Sequence, residues 1–181
     1  HRSLGIRPYM VQLAGALALY RGNVAEMATG EGKTLTAGLT AVLWGWIGKP
    51  CHIITVNDYL AERDAKTLAP LYTFCSVSVG SVSSTMAPSD RKENYDKDVT
   101  YTTSKEILAD FLRDRLRLDT LQHAARRQIR MLATGQPNSG LVMRGIHSAI
   151  VDEADNILID EAVTPLIISQ SRSNEPFVAA C

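Results

Sequence analysis

A chain of 181 residues with 45% hydrophobic residues has the length and apolar content for one globular domain with a core covered on both sides. Lys plus Arg and Asp plus Glu are 19 each, so the overall charge singles out neither a nucleic-acid partner nor a strongly acidic one. Three cysteines, Cys51, Cys75 and Cys181, odd in number and without CxxC spacing, suggest neither a disulfide framework nor a zinc site, and a reducing cytosol is the simplest setting.

The chain opens on His1-Arg2-Ser3, with no start methionine and no early apolar segment of the kind a signal peptide needs, as expected of a piece of a longer protein. Pro8 at a first helical position, followed by Met10, Val11, Leu13, Leu17 and Leu19, predicts a helix to about Tyr20, closed by Gly22. Gln12 near its start has two readings: its amide reads the edge of an adenine, or it faces solvent. Residues 24–27 are expected to form a short strand feeding a glycine turn, Thr29-Gly30-Glu31-Gly32-Lys33-Thr34. Gly30 and Gly32 allow the backbone N–H groups to point inward with no Cβ in the way of a polyphosphate. Lys33 supplies a point charge to the β/γ-phosphates, Thr34 a hydroxyl to Mg²⁺, and the next helix its positive N-terminus. Met27 stands where the strict P-loop pattern has glycine, so the match is partial.

Leu35, Leu39, Val42, Leu43 and Trp46 recur at helical spacing until Gly48 and Pro50. That uncharged run, residues 34–48, is too short and too rich in threonine and glycine to cross a bilayer, which needs about 20 apolar residues. Residues 51–56 form a compact apolar run that predicts a strand buried on both faces, hence parallel. His52 inside it reads as a satisfied core or edge histidine rather than a ligand. Asn57 and Asp58 cap a helix to about Cys75, with Pro70 expected to kink or break it. Residues 77–82 alternate with period two and predict a strand, residues 89–95 a short polar helix or loop, and residues 99–103 another strand. Thr103 with Glu106 fits a capping box for a helix carrying Ile107, Leu108, Phe111 and Leu112. Residues 113–130 then hold six arginines against Asp114 and Asp119, with Arg126, Arg127 and Arg130 opposite an apolar stripe. Such a helix lies on anionic lipid, binds phosphate-rich partners, or is a solvated arginine face on a packed helix.

Residues 148–151 are an apolar strand leading into Asp152-Glu153-Ala154-Asp155. Parallel α/β sheets place ligand sites at the carboxyl ends of their strands, so this acidic pair and the glycine turn can meet in one crevice. Asp152 is the Mg²⁺ partner of Thr34, and Glu153 the base that orients and deprotonates an attacking water. The other reading is a pair of helix-capping carboxylates, but two complementary motifs in one chain favour catalysis.

With both motifs placed, the sequence resembles the first nucleotide-binding domain of the SecA preprotein-translocase ATPases. The resemblance rests on residues 24–34, on Thr55-Val56-Asn57-Asp58-Tyr59-Leu60-Ala61-Glu62-Arg63-Asp64, on Phe111-Leu112-Arg113-Asp114, and on residues 151–162 with Thr164-Pro165-Leu166-Ile167-Ile168-Ser169. In that family Met27 is the usual residue, the glutamine matched by Gln12 contacts adenine, and Asp160 falls where an acidic residue faces a second motor domain. The resemblance implies an α/β, RecA-like P-loop NTPase domain with a mostly parallel sheet and helices on both faces. It also implies ATP and Mg²⁺ as cofactors and Lys33, Asp152 and Glu153 as catalytic residues. Gln12, Thr29, Gly30, Glu31, Gly32, Lys33 and Thr34 would hold nucleotide, with Thr34 and Asp152 on the metal.

Departures are Ala28 for a basic residue, Thr102 for glycine, Val163 for arginine, Ala154 for valine in the DEAD box, and a longer arginine-rich excursion at about 115–146. The expected organisation is a nucleotide-binding domain over 1–170 and, over 171–181, the start of a connection to a domain the sequence does not include. The implied partners are preprotein, a SecY-type translocon and a second motor domain. Anionic lipid is a further candidate partner through Arg126, Arg127 and Arg130, and nucleic acid is not expected. The implied place is the cytoplasm, peripheral to the inner membrane, and the isolated fragment is expected to hydrolyse ATP poorly. Two alternatives remain from the sequence: a DEAD-type RNA helicase domain, favoured by Ala154 and the arginine block, and a non-catalytic nucleotide-binding interaction module.

Overall fold

The structure is a computed structural model that describes residues 2–118 and 141–167. Helix α1 (Met10–Tyr20) precedes the glycine turn and α2 (Lys33–Trp46) follows it; then come β1 (Cys51–Thr55), α3 (Asp58–Phe74), β2 (Val79–Ser81) and α4 (Pro88–Tyr95). Strand β3 (Val99–Thr103), α5 (Ser104–Leu118) and β4 (Ser148–Val151) complete the order, ahead of a wide π-type turn over Asn156–Asp160 and a 3₁₀ turn over Glu161–Val163.

The four strands form one parallel sheet in the order β2-β3-β1-β4, with Ile53 level with Tyr101 on one side and Ile150 on the other. Successive residues of a strand face opposite sides, and here each side has its own core. Cys51, Ile53, Val99, Tyr101 and Ile150 pack with Ala41 and Val42 of α2 and Ala61, Ala65, Leu68 and Tyr72 of α3. The hydroxyls of Tyr72 and Tyr101 meet at 2.8 Å inside that layer, which satisfies two polar groups that burial would otherwise strand. On the other face Ile54 packs against Val82, Tyr95, Ile107, Val142 and Met143. Helices cover both faces, as the sequence predicts for a buried parallel sheet.

Asn57 caps α3 by accepting a hydrogen bond from the Leu60 N–H at 2.9 Å. Pro70 does not break this helix, which runs on to Phe74. Of residues 77–82, only Val79–Ser81 pair as a strand. Thr103 caps α5 through the Glu106 N–H at 3.3 Å, but the Glu106 side chain turns away to Arg91 at 2.6 Å, so half of the expected capping box forms.

Residues 24–27, expected as a strand, are irregular. Val24 is 93% exposed and Glu26 also faces outward, so the segment has little apolar surface to reward pairing. The arginine excursion with Arg126, Arg127 and Arg130, and the connection at 171–181, lie outside the described residues. The return from the excursion is described. Buried Asp114 on α5 accepts the backbone N–H of Val142 at 3.0 Å and of Met143 at 2.7 Å, which gives the Phe111-Leu112-Arg113-Asp114 stretch a structural reason. Glu161 ties the segment beyond β4 back to α5 through the Ser104 hydroxyl at 2.7 Å.

His52 is core, as expected, packed 6.0 Å from the Tyr95 ring, but its Nδ1 has no hydrogen-bond partner among the described residues. Burial pushes its pKa below the ordinary 6.5, the Ser148 backbone opposes this, and the Arg144 charge adds to it. The unfolded chain therefore takes up a proton near pH 6.5 while the fold still resists it. The His52 contribution is complete above pH 6.5 and is lost as pH falls from there toward the folded value. In urea titrations across this range, the acid-side decline in midpoint should be shallower in His52→Val than in the wild type.

Candidate active site

The glycine turn is held by Gln12 of α1, by the start of α2 and by bonds within its own segment. Gly30 and Gly32 have φ of 90° and 85°, the left-handed region that side chains disfavour, and Gly32 is the residue at which α2 begins. A Cβ on Gly32 would also fall 2.3 Å from Nε2 of Gln12 and would displace that amide. Gln12 is 6% exposed. Its Oε1 accepts the Tyr9 N–H at 3.0 Å and its Nε2 donates to the Glu31 carbonyl at 2.7 Å. Of the two expectations for Gln12, the solvent-facing one fails: the amide braces the turn. Across the turn, the Glu31 N–H donates to the Ala28 carbonyl at 3.2 Å, and the Ala28 N–H donates to Glu31 Oε2 at 2.8 Å. Thr29 is exposed at the tip, and Thr34 is half-buried in the first turn of α2.

The acidic pair arrives from the sheet. The Asp152 N–H donates to the Ile54 carbonyl at 2.9 Å, which carries the β1–β4 ladder one residue past β4 and fixes where the pair emerges. Glu153 then has φ of 52°, left-handed in a residue with a long side chain, and its N–H donates to Asp152 Oδ1 at 3.0 Å. Such conformations cost of order 1–3 kcal/mol and cluster at functional sites. Lys33 Nζ meets Glu153 Oε1 at 2.6 Å across 120 residues of sequence. That hydrogen bond is the largest influence on Lys33 and holds its pKa above the usual lysine value. Partial burial raises the Asp152 carboxyl above the ordinary aspartate value, opposed by the Glu153 N–H and increased by the charge of Glu153.

A charged residue without an assigned role in the sequence reading is Asp64. It is 5% exposed on α3, is held by the Arg63 guanidinium at 2.7–2.8 Å, and its charge contributes to raising Asp152. Its signal was available: Ala61, Asp64, Ala65 and Leu68 share the core-facing stripe of α3, so a carboxylate there is out of pattern. A pocket of about 520 Å³ between α5 and residues 141–145 lies toward the opposite end of the strands, and neither Lys33 nor the acidic pair lines it.

The donor set suits a nucleotide with a hard cation. The turn offers backbone N–H groups and an ammonium for anionic oxygens, and Thr34 and Asp152 offer oxygen ligands of the type Mg²⁺ takes. A parallel sheet with helices on both faces, a glycine turn opening α2 and an acidic pair leaving β4 make this a RecA-like α/β domain. A hypothetical ATP-dependent RNA helicase from Sulfolobus tokodaii has this fold, with a TM-score of 0.54 over 90% of this chain and 53% of that one at 14% identity.

The particular family is given by sequence: residues 1–180 match the family model of the SecA DEAD-like domain, and the chain belongs to that family. It is 50% identical over 182 residues to protein translocase subunit SecA 2 of Chlorobium chlorochromatii, covering 100% of this chain and 28% of that protein. With protein translocase subunit SecA of Gloeothece citriformis it shares 45% identity over 181 residues, covering 99% of this chain and 17% of that protein. The chain thus spans less than a third of these relatives.

Proposed function

We propose that this chain is the ATP-binding half of a SecA-like motor that couples ATP hydrolysis to protein export through a Sec-type channel. The observation that supports it most is the 2.6 Å contact of Lys33 with Glu153, which joins two motifs that have complementary work on a bound polyphosphate. Bound Mg²⁺–ATP supplies the reactive phosphoanhydride and the cation that neutralises it. The chain's own contribution is positional. The turn's N–H groups and Lys33 orient the β/γ-phosphates, Thr34 and Asp152 hold the cation, and Gln12 keeps the turn in shape and is the residue proposed to contact adenine. Glu153, on leaving Lys33, takes the proton of the attacking water at its carboxylate.

The domain runs over about 1–170, with 171–181 starting the connection onward, and turnover needs a second motor domain to complete the site. Preprotein and a SecY-type translocon are the partners proposed from the relatives' description as protein translocase subunits. The proposed place is the cytoplasmic face of the inner membrane, held peripherally with Arg126, Arg127 and Arg130 on anionic lipid. No described helix is long and apolar enough to cross a membrane. An RNA helicase is the second reading, favoured by Ala154 in the DEAD box. ATPase assays of the intact protein separate the two. Turnover should rise with preprotein plus translocon membranes and not with RNA, whereas stimulation by RNA alone that falls steeply with salt contradicts the export reading.

A further inference from the structure

Two backbone N–H groups in and beside the glycine turn, and the Lys33 ammonium, are already engaged by oxygens of the chain itself. The Ala28 N–H is held by the Glu31 carboxylate at 2.8 Å, the Glu31 N–H by the Ala28 carbonyl at 3.2 Å, and the Lys33 ammonium by Glu153 at 2.6 Å. A carboxylate oxygen and a phosphate oxygen present the same chemistry to an N–H donor, an anionic acceptor with free lone pairs. Glu153 has a role of its own on the far side of the site. The Glu31 side chain, as distinct from its backbone in the turn, has no assigned one: it is exposed, makes no ion pair among the described residues, and its carboxylate is turned back across Thr29 and Gly30 onto Ala28. That turn closes because Gly30 is left-handed, with open space where a Cβ would stand. Gln12 grips the Glu31 carbonyl at 2.7 Å, so the backbone of Glu31 is anchored while its side chain can swing outward.

We propose that Glu31 is a built-in competitor of the nucleotide's phosphates, latching the turn shut with its carboxylate and so setting how tightly and how fast the site loads. The inference rests on the nucleotide-binding reading of this site. Incoming polyphosphate must release the Ala28 and Glu31 contacts and move a like charge aside. The latch is a single charge-assisted hydrogen bond at an exposed position, screened by salt, so it brakes loading without blocking it.

The test uses the intact protein and three titrants: Mg²⁺–ATP, Mg²⁺–pyrophosphate and adenosine, followed by calorimetry, with stopped-flow association of a fluorescent ATP analogue. Glu31→Ala should tighten ATP and pyrophosphate by roughly fivefold, the scale of one exposed charged hydrogen bond, and speed association, with adenosine unchanged. Glu31→Gln keeps an oxygen for the Ala28 N–H but loses the charge, and should fall between wild type and Glu31→Ala. Because Glu31 is exposed, both variants should retain the wild-type circular dichroism and melting profile. Unchanged or weaker pyrophosphate binding in a folded Glu31→Ala, with wild type binding normally, overturns this inference alone. A wild type that binds neither ATP nor pyrophosphate overturns the nucleotide reading, and this inference with it.

Discussion

Replacing Glu153 by glutamine is expected to lower the ATP turnover of the intact protein by about 10²–10⁴-fold, the range for losing a positioned general base, while Mg²⁺–ATP still binds. The substitution keeps the shape of the side chain and an oxygen for Lys33, so the 2.6 Å contact weakens without leaving a hole. What it removes is the group that accepts a proton. The left-handed backbone at Glu153, held by the Asp152 carboxylate on its N–H, is local and remains, so the carboxamide occupies the carboxylate's place. Steady-state phosphate release alongside ATP binding measures both halves of the expectation. Turnover equal to wild type assigns the base elsewhere.

The largest effect on stability is expected at Arg91, far from the nucleotide site in role. Arg91 is 5% exposed on α4 and contacts Glu106 at 2.6 Å and Asp110 at 2.8 Å, and it donates to the carbonyls of Met86, Ser83 and Ser84. Asp110 also accepts from the Tyr95 hydroxyl at 3.0 Å and from Arg113 at 2.7 Å. One guanidinium thus joins α4, α5 and the loop before α4. Removing one partner of a buried ion pair strands the others, and Arg91→Ala should cost about 3–5 kcal/mol. Against a typical domain stability of about 5–15 kcal/mol this is a large share, and urea unfolding should show a correspondingly lower midpoint. Arg91→Lys should rescue only part, because an ammonium cannot reproduce the forked geometry that meets two carboxylates and three carbonyls at once. A shift below about 1 kcal/mol for Arg91→Ala contradicts a central role for this residue.

Much of the scaffold is legible in the chain because it depends on local pattern. Runs such as residues 51–56 and 99–103 are rich enough in β-branched and aromatic residues to be strands in a buried context, and they pair over Cys51–Thr55 and Val99–Thr103. Residues 24–27 show where that reasoning stops, since a short segment becomes a strand only if a neighbour offers an edge and a core to bury against. The site divides in the same way. The glycine turn and the acidic pair are each local, and they meet because β4 ends at the acidic pair while α2 runs from the turn back to the start of the parallel β1. Gln12 under the turn, the Glu31 carboxylate folded back on Ala28 and the five-contact Arg91 are not local, because the partner of a polar side chain is chosen by packing between distant segments. Asp64 and Asp114 lie between these cases. Each is a buried carboxylate whose helix position hints at burial, yet what it holds becomes visible only once the neighbouring segments are in place.

The central claim is that Lys33 and the turn around it hold the phosphates of Mg²⁺–ATP. Calorimetric titration of Mg²⁺–ATP into the intact wild type and into Lys33→Ala tests it most directly. Binding that depends on Mg²⁺ in the wild type and weakens by about 100-fold or more in Lys33→Ala, the scale of a strong charged contact, is the predicted result. Equally tight binding by the two proteins contradicts it.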